Sequence, residues 1–299
     1  MWRKCFFCFL VLSYNLFLFS EEPVYLKTIR INGVEKEVKT NFIGKMIYNQ
    51  DGNTIYLEEK ERPSFLVYYD KNGKMSKILK SKNKNVFYWY DYNNMTNDFE
   101  LKTSDYEEAA FIYDENGNCI QEIDTGSQLN VNYEYDDNGN KTKKVVKNKN
   151  GIVEEINYEY DKNNNIIREY EIDSFEGISK YDEKNRIISY IRINNNKIAY
   201  ILEYEYDDEN NITFITSKEL LYTCKIKKNS NDEITYAEEE RIDPETNKKT
   251  FMQQEQYYDE KNNLLFSIMK IDDKIIPYYY ENYYDNDKLI YSMKYLIIE

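Results

Sequence analysis

Apolar and polar residues alternate strictly in several short segments of the chain. Residues 131–135, 156–160 and 202–206 each begin with Val, Ile or Leu, continue with a polar residue and end in Tyr-Glu-Tyr. A period of two is typical of a β-strand, because successive side chains point to opposite faces of the sheet. The pattern therefore predicts strands with the aliphatic residue and both tyrosines on a core face and the glutamates on a solvated face.

A Tyr-Asp pair ends each alternating segment and leads into a predicted tight turn. The Asp side chain can accept hydrogen bonds from backbone N–H groups two residues further on. Four positions after the tyrosine stands Gly, Asn or Asp, the residue types that tolerate the positive φ closing a hairpin built on a type I turn. An aliphatic residue then usually begins a returning strand. The predicted left-handed positions are Gly52, Gly73, Asn94, Gly117, Gly139, Asn164, Asn185, Asn210, Asp232 and Asn262.

The Tyr-Asp pair recurs along almost the whole chain. With degenerate copies at Tyr48 and Lys228, the sequence contains eleven predicted hairpin units. A meander of roughly twenty strands results, and open sheets beyond about ten strands curl, split or close. We expect an all-β fold in which this repetitive antiparallel hairpin meander coils into a spiral or shell-like sheet, each unit leaning on its neighbours. The complete pairs begin at Tyr69, Tyr90, Tyr113, Tyr135, Tyr160, Tyr181, Tyr206, Tyr258 and Tyr284.

The unit resembles the YD repeat of the RHS family, which reads Tyr-any-Tyr-Asp, two variable residues, Gly-Asn or Gly-Arg, and an aliphatic residue. "YDENGN", "YDDNGN" and "YDEKNR" are good matches, and the resemblance covers residues 46–299. It implies a coiling β-shell. Long family members enclose a toxin, and others are surface or secreted proteins associated with cell contact and carbohydrate binding. We expect a short exported member without a toxin domain. The residues that carry the repeat are Tyr69, Asp70, Tyr113, Asp114, Tyr135, Asp136, Gly139, Tyr160, Asp161, Tyr206 and Asp207.

Two further segments precede the repeats. Residues 1–20 have a basic start, an apolar run and a final serine, which is the layout of a secretory signal peptide. The alternative is an uncleaved membrane anchor, although the apolar run is short for a span. No other segment could cross a membrane as a helix. Residues 21–45 contain Asn32-Gly33, a two-residue hairpin signal, and are expected to form an N-terminal capping hairpin.

Composition restricts the chemistry. The chain carries a net charge of −14, which argues against nucleic acid and anionic lipid as partners. It contains no His, so the commonest general base and transition-metal ligand are missing. Nothing marks one pair among its 54 Asp and Glu residues as catalytic. We therefore expect no enzyme and no cofactor. Cys119 and Cys224 are predicted to be free buried thiols, with one disulfide as the alternative.

Two features of the repeat could bind ligands. Oxygen side chains at alternate positions of the turns resemble those of calcium loops, but the turn interpretation explains them without a metal. Paired tyrosines could stack on sugar rings, or simply line a core. Alternation that places Tyr284 in the core directs Tyr279 and Tyr283 outward, as a candidate contact surface. The weak calcium candidates are Asp114, Asn116, Asp136, Asn138, Asp161 and Asn163.

The sequence is therefore expected to encode an exported, non-catalytic repeat protein that acts as an interaction or surface scaffold. Its expected partner is a protein or carbohydrate of the cell envelope, in the periplasm, at the cell surface or outside the cell. A calcium-stiffened carbohydrate-binding module is the alternative, and an enzyme that degrades glycans is the third hypothesis.

Overall fold

The computed structural model describes residues 24–31, 34–60, 62–82, 106–243 and 245–298, and this part of the chain is all β, without a helix. Accordingly, no helix long and apolar enough to cross a membrane occurs in these ranges. The predicted signal peptide, the turn Asn32-Gly33 and the unit at Tyr90 with Asn94 lie outside the described residues. The strands are β1 (Val24–Ile31), β2 (Val34–Tyr48), β3 (Thr54–Glu59), β4 (Phe65–Tyr69), β5 (Met75–Ser81), β6 (Tyr106–Tyr113), β7 (Cys119–Asp124), β8 (Leu129–Tyr135), β9 (Lys141–Asn148), β10 (Gly151–Tyr160), β11 (Ile166–Glu171), β12 (Phe175–Tyr181), β13 (Ile187–Asn194), β14 (Lys197–Asp207), β15 (Ile212–Ser217), β16 (Tyr222–Lys228), β17 (Ile234–Ile242), β18 (Lys249–Tyr258), β19 (Leu264–Ile271), β20 (Lys274–Asp285) and β21 (Lys288–Ile297).

The sheet closes on itself, so the predicted spiral is wrong. From β2 to β21 each strand pairs antiparallel with the next, and β21 then pairs with β2 from Thr40↔Ile297 to Ile47↔Tyr291. The result is a closed barrel of twenty described strands, with β1 as one extra strand. Closure is possible because β2 is long: it pairs with β1 and then β3 along one edge, and with β21 along the other. Closure also removes the two unpaired edges that a spiral would leave.

Each described hairpin has its Tyr-Asp or equivalent turn at one rim of the barrel and its linking turn at the other. Positive φ values confirm the predicted left-handed residue in eight turns, from Gly52 (77°) to Asn262 (62°). The prediction is wrong at Asn210, since Asn211 takes this conformation (54°). The reason is that Asp207 stays in the ladder opposite Ile212, which leaves a four-residue loop. The eight other hairpins between β2 and β13 and between β16 and β19 each contain a register shift before the turn.

The barrel wall is a single layer. Among the described residues, the extensive contacts between strands are all between neighbours in the sheet; the β1–β2 hairpin adds side-chain contacts with β19 and β20. At about 4.8 Å per strand, twenty strands give a circumference of roughly 100 Å, too wide for opposite walls to pack together. The predicted alternation is confirmed: Tyr133 and Tyr135 are half-buried on one face, and Glu134 is exposed on the other. We call these the tyrosine face and the polar face.

The seam, where β2 meets β21, departs from this two-faced pattern. Here the polar face becomes apolar, and Ile47, Tyr56, Leu66 and Leu79 form a row of cross-strand partners over β2–β5. These four side chains are only 1–3% exposed. A second cluster packs Ile29 and Val38 of the β1–β2 hairpin against Phe266 of β19. The seam is therefore the most deeply buried part of the described barrel.

Candidate functional site

The Asp of each Tyr-Asp pair braces its own turn. In the turn after β8, Asp136 Oδ1 accepts hydrogen bonds from the backbone N–H groups of Asn138 (2.9 Å) and Asn140 (2.8 Å). Asp136 Oδ2 accepts a third from Nδ2 of Asn140 (3.0 Å). These donors, with the Asn140 side chain foremost, hold the pKa of the Asp136 carboxyl below its usual value. Asp161 repeats the arrangement with Asn163 and Asn165.

The hydrogen bonds that brace the turns involve the same carboxylates that were predicted as candidate calcium ligands. The carboxylate oxygens of Asp114, Asp136 and Asp161 already accept N–H groups of their own turns. Adjacent turns are joined through amides, as in Asn163 Nδ2 to Asn185 Oδ1 (2.9 Å), and through ion pairs, as in Lys184 Nζ to Asp208 Oδ2 (2.5 Å). Within the described ranges, no three His, Cys, Asp or Glu side chains are grouped so that they could hold a metal ion. What the turns provide is a hydrogen-bonded rim.

The tyrosine of the pair has a second structural task, which the sequence did not indicate. Tyr135 on β8 donates its hydroxyl to the backbone carbonyl of Cys119 (2.7 Å), the first residue of β7 in the preceding unit. The β7–β8 ladder ends at Gln121↔Asn132, so the hydroxyl satisfies a carbonyl beyond the last strand pair. We call this contact the tyrosine latch. It recurs from Tyr69 to Thr54, Tyr113 to Met75, Tyr160 to Lys141, Tyr181 to Ile166, Tyr206 to Ile187 and Tyr258 to Ile234.

The last unit alters the latch. Tyr284 donates instead to the carboxylate of Asp259. Nδ2 of Asn282 takes over the carbonyl of Leu264, the first residue of β19, at 3.0 Å. The repeat therefore changes its bonding next to the seam, where β20 leads into the closing strand.

Aromatic residues cross the seam in register on the polar face. Tyr257, Phe266, Tyr279, Tyr295 and Phe42 are successive cross-strand partners over β18, β19, β20, β21 and β2. Their ring centroids lie 5.8 Å apart for the first pair, 6.3 Å for Tyr279 and Tyr295, and 5.9 Å for Tyr295 and Phe42. Neighbouring aromatic pairs at such distances stabilise a sheet. Tyr279 and Tyr295 stack, whereas the other two pairs are tilted or edge-on, and Phe266 and Tyr295 are only 5% exposed. We call this row, together with Tyr25, Tyr283 and Tyr291, the seam surface.

The predicted contact residues Tyr279 and Tyr283 both belong to the seam surface. They lie on one face of β20, and both are half-buried. Tyr279 stacks on Tyr295, and Tyr283 stacks on Tyr291 with a centroid distance of 4.1 Å. Burial raises the pKa of Tyr279. Their role in binding remains a prediction, but the structure joins them to aromatic residues more than two hundred positions away.

The N-terminal hairpin of β1 and β2 covers part of the seam surface. Its residue Lys27 forms an ion pair there. Nζ of Lys27 lies 2.7 Å from Glu281 Oε2 and 4.6 Å from the ring centroid of Tyr295. Beside it, Tyr25 packs edge-on against Tyr295 at 6.2 Å. Tyr25 and Leu26 are 43% and 63% exposed, so apolar surface remains open at this edge. The register that assembles these residues could not be read from the sequence.

The two described cysteines are not part of this surface. Cys119 and Cys224 are both free and half-buried, which agrees with the expectation of free thiols rather than a disulfide. Burial raises the pKa of each thiol above its ordinary value. A raised pKa keeps a thiol protonated and therefore poorly nucleophilic.

In comparisons with known proteins, matches were found among solved structures, at low identity and with TM-scores below 0.5. No family model matches the chain, and no curated protein matches it. Among solved structures, the Tc holotoxin pore of Photorhabdus luminescens is 12% identical with a TM-score of 0.41, covering 85% of this chain and 14% of that one. A TcdB2-TccC3 crystal structure gives 12% and 0.41, covering 90% and 15%. A porin-like protein from Bacteroides uniformis gives 9% and 0.35, covering 86% and 96%. The chain thus spans about one seventh of the Tc toxin chains, and these scores carry no inference about function.

Proposed function

We propose that the protein is an exported, non-catalytic scaffold that binds a protein or carbohydrate partner through the seam surface. One observation carries the proposal: the face that bears Glu, Asn and Lys side chains in the typical unit carries five aromatic residues in register at the seam. Tyr25, which packs against Tyr295 and is 43% exposed, extends this row to solvent. Exposed apolar patches with polar surroundings are typical of contact sites. Export rests on the sequence of residues 1–20.

We further infer that the chain is a YD-repeat protein. What supports this is that the motif residues have the same task in unit after unit. The Asp braces the turn, the following Gly or Asn has positive φ, and the tyrosine hydroxyl reaches the preceding unit. A motif that encodes turns and latches is expected to recur for reasons of folding. Binding is therefore expected where the repeat departs from its pattern, which is at the seam.

Replacing Tyr279 and Tyr283 together with Ser is expected to weaken partner binding at least tenfold, because the substitution removes two rings from the seam surface. Binding is measured on a glycan array and by chemical crosslinking on intact cells. The matched control replaces Tyr170 and Tyr200, half-buried tyrosines on β11 and β14, with Ser. Thermal melting establishes that both variants are folded. Equal binding by the wild-type protein and the Tyr279/Tyr283 variant would contradict the proposal.

A further inference from the structure

A second feature lies beside the seam surface, on the same polar face. An open groove of about 790 Å³ runs over β15–β18 to the rim that carries the Tyr-Asp turns. Its floor contains Lys225, Lys227 and Tyr236, and its far side contains Glu255 and Tyr257. At the rim it is lined by the side-chain amides of Asn229, Asn231 and Asn262. It shares only Tyr257 with the seam surface.

The groove presents cationic groups without anionic partners. Lys225 and Lys227 form no ion pair with any residue in the described part of the chain, although ion pairs of lysine are frequent on this barrel. The nearest Glu in the ladder, Glu238, lies opposite Lys225 and accepts the hydroxyl of Tyr236. Neither ammonium group is ion-paired with a described residue, so the two lysines offer positive charge to an anion, beside the carboxylates of Glu255 and Asp259 that also line the groove.

The carboxylates in the groove are, by contrast, already engaged. Glu255 accepts a hydrogen bond from the hydroxyl of Tyr257 (2.8 Å) and another from Nε2 of Gln253 (3.0 Å). Asp259 is occupied by its turn and by Tyr284. These hydrogen bonds occupy the oxygens but leave both negative charges in place.

The rim amides are also engaged, since Asn231 Nδ2 donates to Asn262 Oδ1 and Asn262 Nδ2 donates to Glu233 Oε1. The donors left for an entering ligand are the two ammonium groups and the remaining N–H groups of these amides.

Aromatic rings complete the groove. Tyr236 is the cross-strand partner of Lys227 on one side and Glu255 on the other. Nζ of Lys225 lies 5.9 Å from the ring centroids of both Tyr236 and Phe214. The hydroxyls of Tyr236 and Tyr257 are fixed by neighbouring glutamates, so their rings are held in place. Rings beside cations and amides suit a ligand with flat C–H surfaces, hydroxyls and negative charge.

We propose that this groove binds an oligosaccharide of sugar acids. The carboxylates of two sugar units lie against Lys225 and Lys227, whose Cα atoms are about 6.6 Å apart at the rise of an extended strand. The pyranose faces rest on Tyr236 and Tyr257, and ring hydroxyls bond the amides at the rim. This ligand site goes beyond the scaffold function proposed above, since it does not require binding at the rest of the seam surface.

Calorimetry on the full-length protein tests the site with a trimer of galacturonic acid. The expected result is saturable binding that weakens at least tenfold in the Lys225→Gln, Lys227→Gln double variant and decreases as salt is added. The matched control is Lys197→Gln with Lys218→Gln, two exposed lysines at the opposite rim, which changes the net charge equally and leaves binding unaltered. Melting curves verify that both variants fold.

Two further ligands distinguish recognition of a sugar acid from binding that depends on the rings alone or on the charge alone. The methyl-esterified trimer has the same rings without charge, and inorganic phosphate has charge without rings; neither is expected to bind measurably. Equal binding of the neutral trimer, equal binding of phosphate, an unchanged affinity in the double variant, or no binding of the acidic trimer would each overturn the proposal. The seam-surface variant at Tyr279 and Tyr283 is expected to bind the acidic trimer as the wild-type protein does. The two proposals can therefore be tested independently.

Discussion

A chain that ends at Asp285, and so lacks β21, is expected to lose the soluble, cooperatively melting fold. β21 pairs with both β20 and β2, so its removal opens the barrel and leaves one edge of each of these strands unpaired. It also removes Tyr291, which packs against the buried cluster containing Ile47 and Tyr56. Unpaired edges beside exposed apolar side chains aggregate. Size-exclusion chromatography and circular-dichroism melting measure the effect.

A chain that begins at Val34 is the matched control for this truncation. It lacks β1, the strand that stands outside the ring of twenty. Loss of Ile29 from the contact with Phe266 is expected to lower the melting temperature, but the transition remains cooperative because the barrel stays closed. A soluble protein with an unchanged melting transition after removal of β21 would contradict closure, since an open sheet loses only a terminal strand.

Removing four tyrosine latches at once is the second change expected to have a large effect. Each Tyr→Phe substitution removes a hydrogen bond to a backbone carbonyl, at a cost of about 1 kcal/mol. The sites lie in successive units, so the costs are expected to add to about 4 kcal/mol of unfolding free energy. Urea unfolding measures the loss. The variant combines Tyr135→Phe, Tyr160→Phe, Tyr181→Phe and Tyr206→Phe.

A second set of four tyrosines in the same strands and their neighbours gives the control. Their hydroxyls form no hydrogen bond with other described residues, so the same loss of oxygen is expected to cost less than about 1 kcal/mol in total. If both quadruple variants lose the same unfolding free energy, the hydrogen bond of the latch contributes nothing, and only the burial of the tyrosine ring stabilises the barrel. The control combines Tyr158→Phe, Tyr170→Phe, Tyr200→Phe and Tyr204→Phe.

The repeat was predictable because its signals are local. Strand alternation, the Asp that braces the turn and the Gly or Asn with positive φ all act within about ten residues. Eight of the predicted left-handed positions are confirmed for this reason. The exception at Asn210 follows from the absence of a register shift before that turn, and no residue type encodes this absence.

Closure and the seam surface were not predictable in the same way. Thr40 and Ile297 are paired in the structure, yet nothing in either strand distinguishes its partner from twenty similar strands. Whether a long meander spirals or closes depends on twist accumulated over every pairing. The candidate residues Tyr279 and Tyr283 were found from the alternation of side chains along β20. Their partners Tyr295 and Tyr291 required knowledge of the register.

Closure of the barrel is tested most directly by a disulfide across the seam. Met46 of β2 and Ser292 of β21 are Cα partners, and directly opposed residues of antiparallel strands lie within the separation a disulfide needs. In a background with Cys5→Ser, Cys8→Ser, Cys119→Ser and Cys224→Ser, the Met46→Cys, Ser292→Cys variant is oxidised and its mass and gel mobility are measured. The closed barrel predicts nearly complete crosslinking within one chain. An open spiral predicts two free thiols, or crosslinks only between chains, and that result would contradict the fold described here.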